Sequence, residues 1–183
     1  PGTMMIESRH VRLSDLFSTL PQSRISGPAD IPIGDLCYRS DQVAPDSLFF
    51  CVPGFVRDGH DFAADAVARG AAALCVERLL ELPVPQVVVP SVRRAMGPVA
   101  SVFHGHPSAH LLTAGITGTN GKTTSAFLVA HLLDRAGARA GLMGTIERRV
   151  GGVSTSAART TPEALDIQRD LAAMVEAGDK AVV

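Results

Sequence analysis

The run Gly118, Thr119, Asn120, Gly121, Lys122, Thr123 and Thr124 holds residue types that can grip a phosphate chain. Glycines at 118 and 121 let the backbone fold tightly and come close to an anion. Successive N–H groups, followed by the start of a helix, then point at phosphate oxygens. Lys122 would bring positive charge to the β- and γ-phosphates, and Thr123 would offer its hydroxyl to Mg²⁺. The strict P-loop pattern asks for a glycine where Ile116 stands. A Gly-Lys-Thr triplet alone is weak, and a glycine turn that caps a helix is its alternative. Context decides for nucleotide phosphate binding: an apolar run over residues 111–116 precedes the loop, and a strong helical pattern over residues 123–136 follows it.

The surrounding elements must position that loop. Upstream, residues 13–20 predict a short helix with Ser14 near its cap, and residues 23–32, rich in Ser, Gly and Pro, predict a loop. Strands are expected at 33–38 and 47–52, joined by a turn that contains Pro45. A helix over 61–69 should end at Gly70. Buried strands are expected at 71–76 and 86–89. A helix over 91–104 contains Gly97 and Pro98, which predicts a kink or a start just before Pro98. Residues 105–110 read as a linker, and 111–116 as the strand before the phosphate loop. Gly137 closes the helix after the loop. A strand at 139–143, a hairpin around Gly151 and Gly152, a helix over 162–177 with Pro162 in its first turn, and a strand from Ala181 complete the reading. Strands that alternate with helices indicate a mostly parallel α/β sheet.

Composition agrees with layered packing. Of 183 residues 46% are hydrophobic, only 4% are aromatic and none is Trp, so small side chains let helices lie close to a sheet. The formal net charge of −1 gives no basic surface for nucleic acid and no polybasic membrane patch. No apolar run approaches the ~20 residues that span a bilayer. The start of the sequence lacks a charged-then-apolar leader pattern, and residues 1–3, ahead of two methionines, read as a cloning scar. Cys37, Cys51 and Cys75 have neither metal-ligand nor redox spacing and are expected to be buried free thiols of a reducing cytoplasm. His104, His106 and His110 flank Pro107 in the linker and are not read as a metal site; His60 reads as a loop residue satisfied by backbone partners.

The segment from Ile116 to Thr124 resembles the ATP site of the Mur ligases and of their folylpolyglutamate synthetase relatives. Further segments are similar to the MurE type of that family. They are Leu48-Phe49-Phe50-Cys51-Val52-Pro53-Gly54, Asp58-Gly59-His60-Asp61-Phe62, Gly70 to Glu77, Gly141-Leu142-Met143-Gly144-Thr145-Ile146 and Arg159-Thr160-Thr161-Pro162-Glu163-Ala164. The likeness runs from about Leu36 to the end. It implies a Rossmann-like UDP-binding domain over residues 1–107, followed by the start of a P-loop, parallel-sheet ATP-binding domain over 108–183. It implies that Tyr38 and Ser40 contact uridine, and that Phe55, Val56 and Arg57 lie by the diphosphate or sugar. By the same likeness Gly118, Thr119, Asn120, Gly121, Lys122, Thr123 and Thr124 bind ATP, with Lys122 catalytic and Thr123 on Mg²⁺. Arg159, Thr160 and Thr161 would hold the muramoyl-dipeptide. Ser40 could instead open a turn, and Thr160 and Thr161 could instead cap the last helix. Many relatives carry Asp-Ser-Arg where this chain has Arg39, Ser40 and Asp41.

The implied reaction is ATP-dependent formation of an amide on UDP-N-acetylmuramoyl-L-alanyl-D-glutamate through an acyl phosphate. Diaminopimelate is the expected amino acid and lysine the alternative. The implied place is the cytoplasm, with no nucleic acid, no membrane insertion and no obligate protein partner. The residues after the phosphate loop are few for a nucleotide domain, and the family's amino-acid-selecting third domain is missing. The chain is therefore expected to be a fragment that does not turn over substrate alone and associates through an unfinished sheet edge. Another Mur ligase, a folylpolyglutamate synthetase relative, or a non-catalytic UDP-sugar or nucleotide-binding module remain the alternatives.

Overall fold

A computed structural model describes residues 10–54, 57–156 and 162–183. The chain divides into two compact units between Phe103 and His104.

The first unit opens with β1 (Val11–Arg12) and α1 (Leu13–Leu16), followed by β2 (Arg24–Ser26), β3 (Pro32–Ile33) and β4 (Asp35–Cys37). Then come β5 (Ser47–Phe50), α2 (Ala63–Ala68), β6 (Ala71–Val76), β7 (Gln86–Val88) and α3 (Val92–Phe103). β1 and β3 form a small antiparallel pair. The main sheet runs β2-β7-β6-β5-β4, with four parallel strands and β2 as an antiparallel edge. Both faces are buried, as parallel sheets require. Phe49, Cys51, Leu74 and Val76 pack with Ala63 and Ala66 of α2. The alternating set, Leu48, Phe50, Ala73 and Cys75, is equally buried. α1 packs on α3, whose buried stripe of Val92, Ala95, Met96, Val99, Ala100 and Phe103 follows helical spacing.

Several expectations change here. α1 covers only the first turn of residues 13–20 and is preceded by Arg12, not capped by Ser14. The polar stretch 23–32 contains β2, because Ile25 and its neighbours gain ladder partners on β7. A 3-10 turn precedes α2, with Asp58 at its cap. α3 begins well ahead of Pro98 and runs through it. Pro98 and Arg94 are exposed, so water can satisfy the carbonyl that loses its donor, and Gly97 has no Cβ to clash with the ring.

The second unit contains β8 (Leu112–Thr113), α4 (Lys122–Arg135), β9 (Ala140–Met143), β10 (Glu147–Val150), β11 (Val153–Ser156), α5 (Ala164–Glu176) and β12 (Ala181–Val182). Its sheet runs β11-β10-β9-β12-β8. β8, β12 and β9 are parallel, and the β10–β11 hairpin extends them antiparallel. Strand alternation sorts the core: Ala140, Leu142 and Ala181 meet Ala130 of α4, while Val182 meets Leu171 and Met174 of α5. Gly141 is required by closeness, since a Cβ there would lie 2.4 Å from the Met174 sulfur. Only Leu112 and Thr113 of the expected 111–116 strand form ladder, at the sheet edge, with Leu112 61% exposed. α5 starts at Ala164, two positions after Pro162, because Glu163 caps it: its N–H donates to the Asp166 carboxylate at 3.3 Å. Thr160 and Thr161, the alternative caps, lie outside the described residues.

Phe49 is 1% exposed at the centre of the first sheet. Phe49→Ala is expected to cost about 3–5 kcal/mol through lost transfer energy and the cavity left behind. A urea titration against the parent chain measures it; a loss well under 1 kcal/mol would contradict this packing.

Candidate functional site

In the first unit β4, β5 and β6 are parallel, so their carboxyl ends share one edge of the sheet. Tyr38, Arg39 and Ser40 follow β4, residues 53–58 follow β5, and Glu77 and Arg78 follow β6. Ser40 begins a 3-10 turn, as one reading of the sequence held, and its hydroxyl also hydrogen-bonds the Asp65 carboxylate on α2. Asp65 is held below its ordinary range first by that bond and then by Arg69. The charges that flank Ser40 pair with each other, Arg39 Nε to Asp41 Oδ1 at 3.0 Å and Nη2 to Oδ2 at 2.7 Å. The exchanged order Arg39-Ser40-Asp41 is therefore neutral across the serine. Tyr38 and Ser40 are both half-buried.

After β5 the described residues on either side of 55 and 56 are tied to one another. Pro53 and Asp58 form an antiparallel bridge, the Gly54 N–H donates to the Arg57 carbonyl at 3.0 Å, and the Gly59 N–H donates to the Val52 carbonyl at 3.0 Å. Gly59 admits no side chain, since a Cβ would lie 2.4 Å from the Val52 nitrogen. The Arg57 guanidinium lies 6.0 Å from the centre of the Phe62 ring. Phe55 and Val56 lie outside the described residues.

Asp58 organises this turn. Its Oδ1 accepts from the His60 N–H at 3.0 Å and meets His60 Nδ1 at 2.6 Å, and its Oδ2 accepts from Arg78 at 2.9 Å. The backbone N–H of His60 is the first cause that lowers the Asp58 pKa to about 2, aided by the His60 ring and Arg78. His60 is buried, and its Nε2 accepts from the Glu77 N–H at 3.0 Å. The carboxylate of Glu77 in turn accepts from Val92 N–H at 2.9 Å, at the start of α3. The sequence read His60 as a loop residue satisfied by backbone partners; one ring partner is backbone, the Glu77 N–H, and the other is the Asp58 carboxylate, while the roles of Asp58, Asp65 and Arg78 were missed.

In the second unit the phosphate-loop residues follow β8 and lead into α4. Gly118 has φ 151° and Gly121 φ 75°, and Gly121 is the N-cap of α4. At Gly121 an L side chain would be strained although space is open. The Lys122 ammonium turns back on the loop and donates to the Gly118 carbonyl at 2.6 Å and to that of Thr119 at 3.4 Å. Gly118, Thr119, Asn120, Gly121, Lys122 and Thr124 are exposed, and Thr123 is half-buried on the first turn of α4. These glycine conformations and this lysine fit a bound phosphate chain. Among the described residues no group of three or more His, Cys, Asp or Glu could hold a metal.

The β10–β11 hairpin leads towards Arg159, Thr160 and Thr161, which lie outside the described residues. It is anchored on three sides. Arg148 pairs with Asp170 of α5 at 2.6 Å, and Arg149 on the opposite face pairs with Asp134 of α4 at 3.2 Å. The buried Asp179 accepts from Gly151 N–H at 2.8 Å and from Arg139 Nε at 2.6 Å. Asp179 gave no motif in the sequence. Cys37, Cys51 and Cys75 are buried free thiols; burial pushes Cys51 up to about 12 and raises Cys75 well above its ordinary value.

Two family models match the chain: the catalytic domain of the Mur ligase family over residues 33–104 and the Mur ligase middle domain over residues 116–183. The chain is 45% identical over 168 residues to the UDP-N-acetylmuramoyl-L-alanyl-D-glutamate–2,6-diaminopimelate ligase of Geobacillus thermodenitrificans, covering 92% of this chain and 34% of that protein. The chain thus spans about a third of the length of the curated relatives it matches. A solved structure of a ligase of the same name superposes with a TM-score of 0.73 at 23% identity, covering 95% of this chain and 35% of that one. The MurF ligase of Thermotoga maritima, solved in complex with ADP, superposes with a TM-score of 0.56 at 21% identity, covering 81% and 31%. At these identities the solved structures bear on the fold alone.

The depressed Asp58 carboxyl has a consequence for stability. Its contribution is complete above its ordinary value of 3.8 and is lost as pH falls through about 2. Asp58→Asn should remove that part of the acid dependence and leave the profile above pH ~5 parallel to the parent's. Thermal melts from pH 2 to 7 test this; an unchanged acid limb in the variant would contradict it.

Proposed function

The chain belongs to the Mur ligase family, and from that premise we propose that it supplies the uridine and ATP contacts of a cytoplasmic peptidoglycan-precursor ligase. The ligase joins meso-diaminopimelate to UDP-N-acetylmuramoyl-L-alanyl-D-glutamate. In this reading residues 1–107 take the uridine nucleotide and 108–183 begin the ATP domain. The observation that carries it is the turn of Gly118–Lys122 at the carboxyl end of a parallel strand, with the Lys122 ammonium 2.6 Å from the Gly118 carbonyl. The name of the 45%-identical relative supports the choice of dipeptide and amino acid.

Both reactants of the first step are anionic, so the protein's task is positioning and charge neutralisation. The substrate carboxylate attacks the γ-phosphorus, ADP leaves, and an acyl phosphate forms. The incoming amine then displaces phosphate and gives the amide. Lys122 is exposed and held by two carbonyls, so it can exchange them for β- and γ-phosphate oxygens by side-chain rotation. Backbone N–H groups at the start of α4 add the helix-start dipole. The Thr123 hydroxyl would hold a magnesium ion, which would supply charge neutralisation at the phosphates. Tyr38 and Ser40 contact the uridine. Phe55, Val56 and Arg57 lie by the diphosphate or sugar, where Arg57 supplies charge, and Arg159, Thr160 and Thr161 hold the muramoyl-dipeptide.

Two titrations test this reading. By calorimetry, UDP-N-acetylmuramoyl-L-alanyl-D-glutamate should bind clearly tighter than UMP. Equal affinity would favour a nucleotide-binding module without muramoyl contacts. Lys122→Ala should weaken ADP binding by roughly ten- to a hundred-fold, the worth of a hydrogen bond to a charged group, with the melting temperature unchanged. Undiminished ADP affinity would remove Lys122 from the site.

A further inference from the structure

Among the described residues two side chains from outside, His60 and Arg78, meet at Asp58 beyond the end of β5. The His60 side chain is 1% exposed. It spans the Asp58 carboxylate at 2.6 Å and the Glu77 N–H at 3.0 Å, and so links the end of the turn to the end of β6. A backbone N–H can only donate, so Nε2 must accept, and Nδ1 must carry the proton that goes to Asp58. One tautomer alone satisfies both partners. Arg78 braces the same carboxylate at 2.9 Å. Within the turn, Gly54 and Gly59 have no room for a side chain against backbone atoms of Arg57 and Val52.

We infer that His60 is a positioning residue, a latch that holds Asp58 in its bridge to Pro53 and, with it, the neighbouring Arg57 for a nucleoside diphosphate. The ligand half of this inference rests on the proposed function; the latch half does not. Asn at position 60 keeps a donor for Asp58 but leaves the Glu77 N–H without an acceptor. Gln can present its carbonyl oxygen near the place of Nε2 and restore that acceptor.

The test uses the ¹⁵N-labelled chain and UDP as probe. Long-range imidazole spectra of the parent should show a protonated Nδ1 and a bare Nε2 at His60. Amide exchange at Gly54, Gly59 and Glu77 should accelerate in His60→Asn and return towards the parent rate in His60→Gln. UDP affinity should fall about ten-fold in His60→Asn and recover in His60→Gln. An Nε2–H tautomer in the parent overturns the latch, and this readout needs no variant to fold. Parent-like exchange and UDP affinity in a folded His60→Asn overturn it as well. If the parent shows the expected tautomer and exchange pattern but does not bind UDP, the latch stands and the uridine-diphosphate reading fails.

Discussion

Parallel strands place all their carboxyl ends on one edge of a sheet, and both candidate sites follow from that constraint. The opposite edge and both faces are taken up by crossovers and helices, so the loops beyond the strand ends are the segments left free of packing. In the first unit Tyr38 to Ser40 and the 53–58 turn follow β4 and β5. In the second the glycine-rich loop follows β8, a strand of only two residues paired on one side by β12. Its backbone is shaped more by Gly118, Gly121 and Lys122 than by sheet contacts.

Loops at such an edge carry unpaired backbone groups and need partners of their own. Buried or half-buried carboxylates supply them here. Asp58 takes a backbone N–H, an imidazole and a guanidinium; Asp179 takes a backbone N–H and a guanidinium. Charge-assisted bonds of this kind are stronger than neutral ones, and each joins segments distant in the chain. Asp179 ties the hairpin turn at Gly151 to the residues before β12, as Asp58 ties the turn after β5 to the end of β6. The arginine pairs on β10 add to this by alternation: Arg148 faces α5 and Arg149 faces α4.

Much of this architecture was legible from residue patterns because local physics decides it. The apolar runs at 47–52, 71–76 and 86–89 became β5, β6 and β7, and Gly70, Gly137 and Gly178 follow their helices at positive φ. The hairpin around Gly151 and Gly152 and the helix after the phosphate loop also formed where expected. What escaped depends on partners far away in sequence. β2 is a strand only because β7 pairs with it, and α3 tolerates Pro98 because that face meets water. The expected strand at 111–116 shrank because it has one neighbour instead of two.

The sequence by itself determined the α/β alternation, because its apolar spacing meets a fixed backbone period, and it carried the glycine-rich loop and the family likeness in short contiguous segments. The tertiary structure alone decided which charges meet: that Arg39 and Asp41 neutralise each other beside Ser40, that Ser40 leans on Asp65, and that His60 bridges Asp58 and Glu77. These partners come from different strand ends and helices. Only the ordering of the sheet brings them within hydrogen-bonding distance.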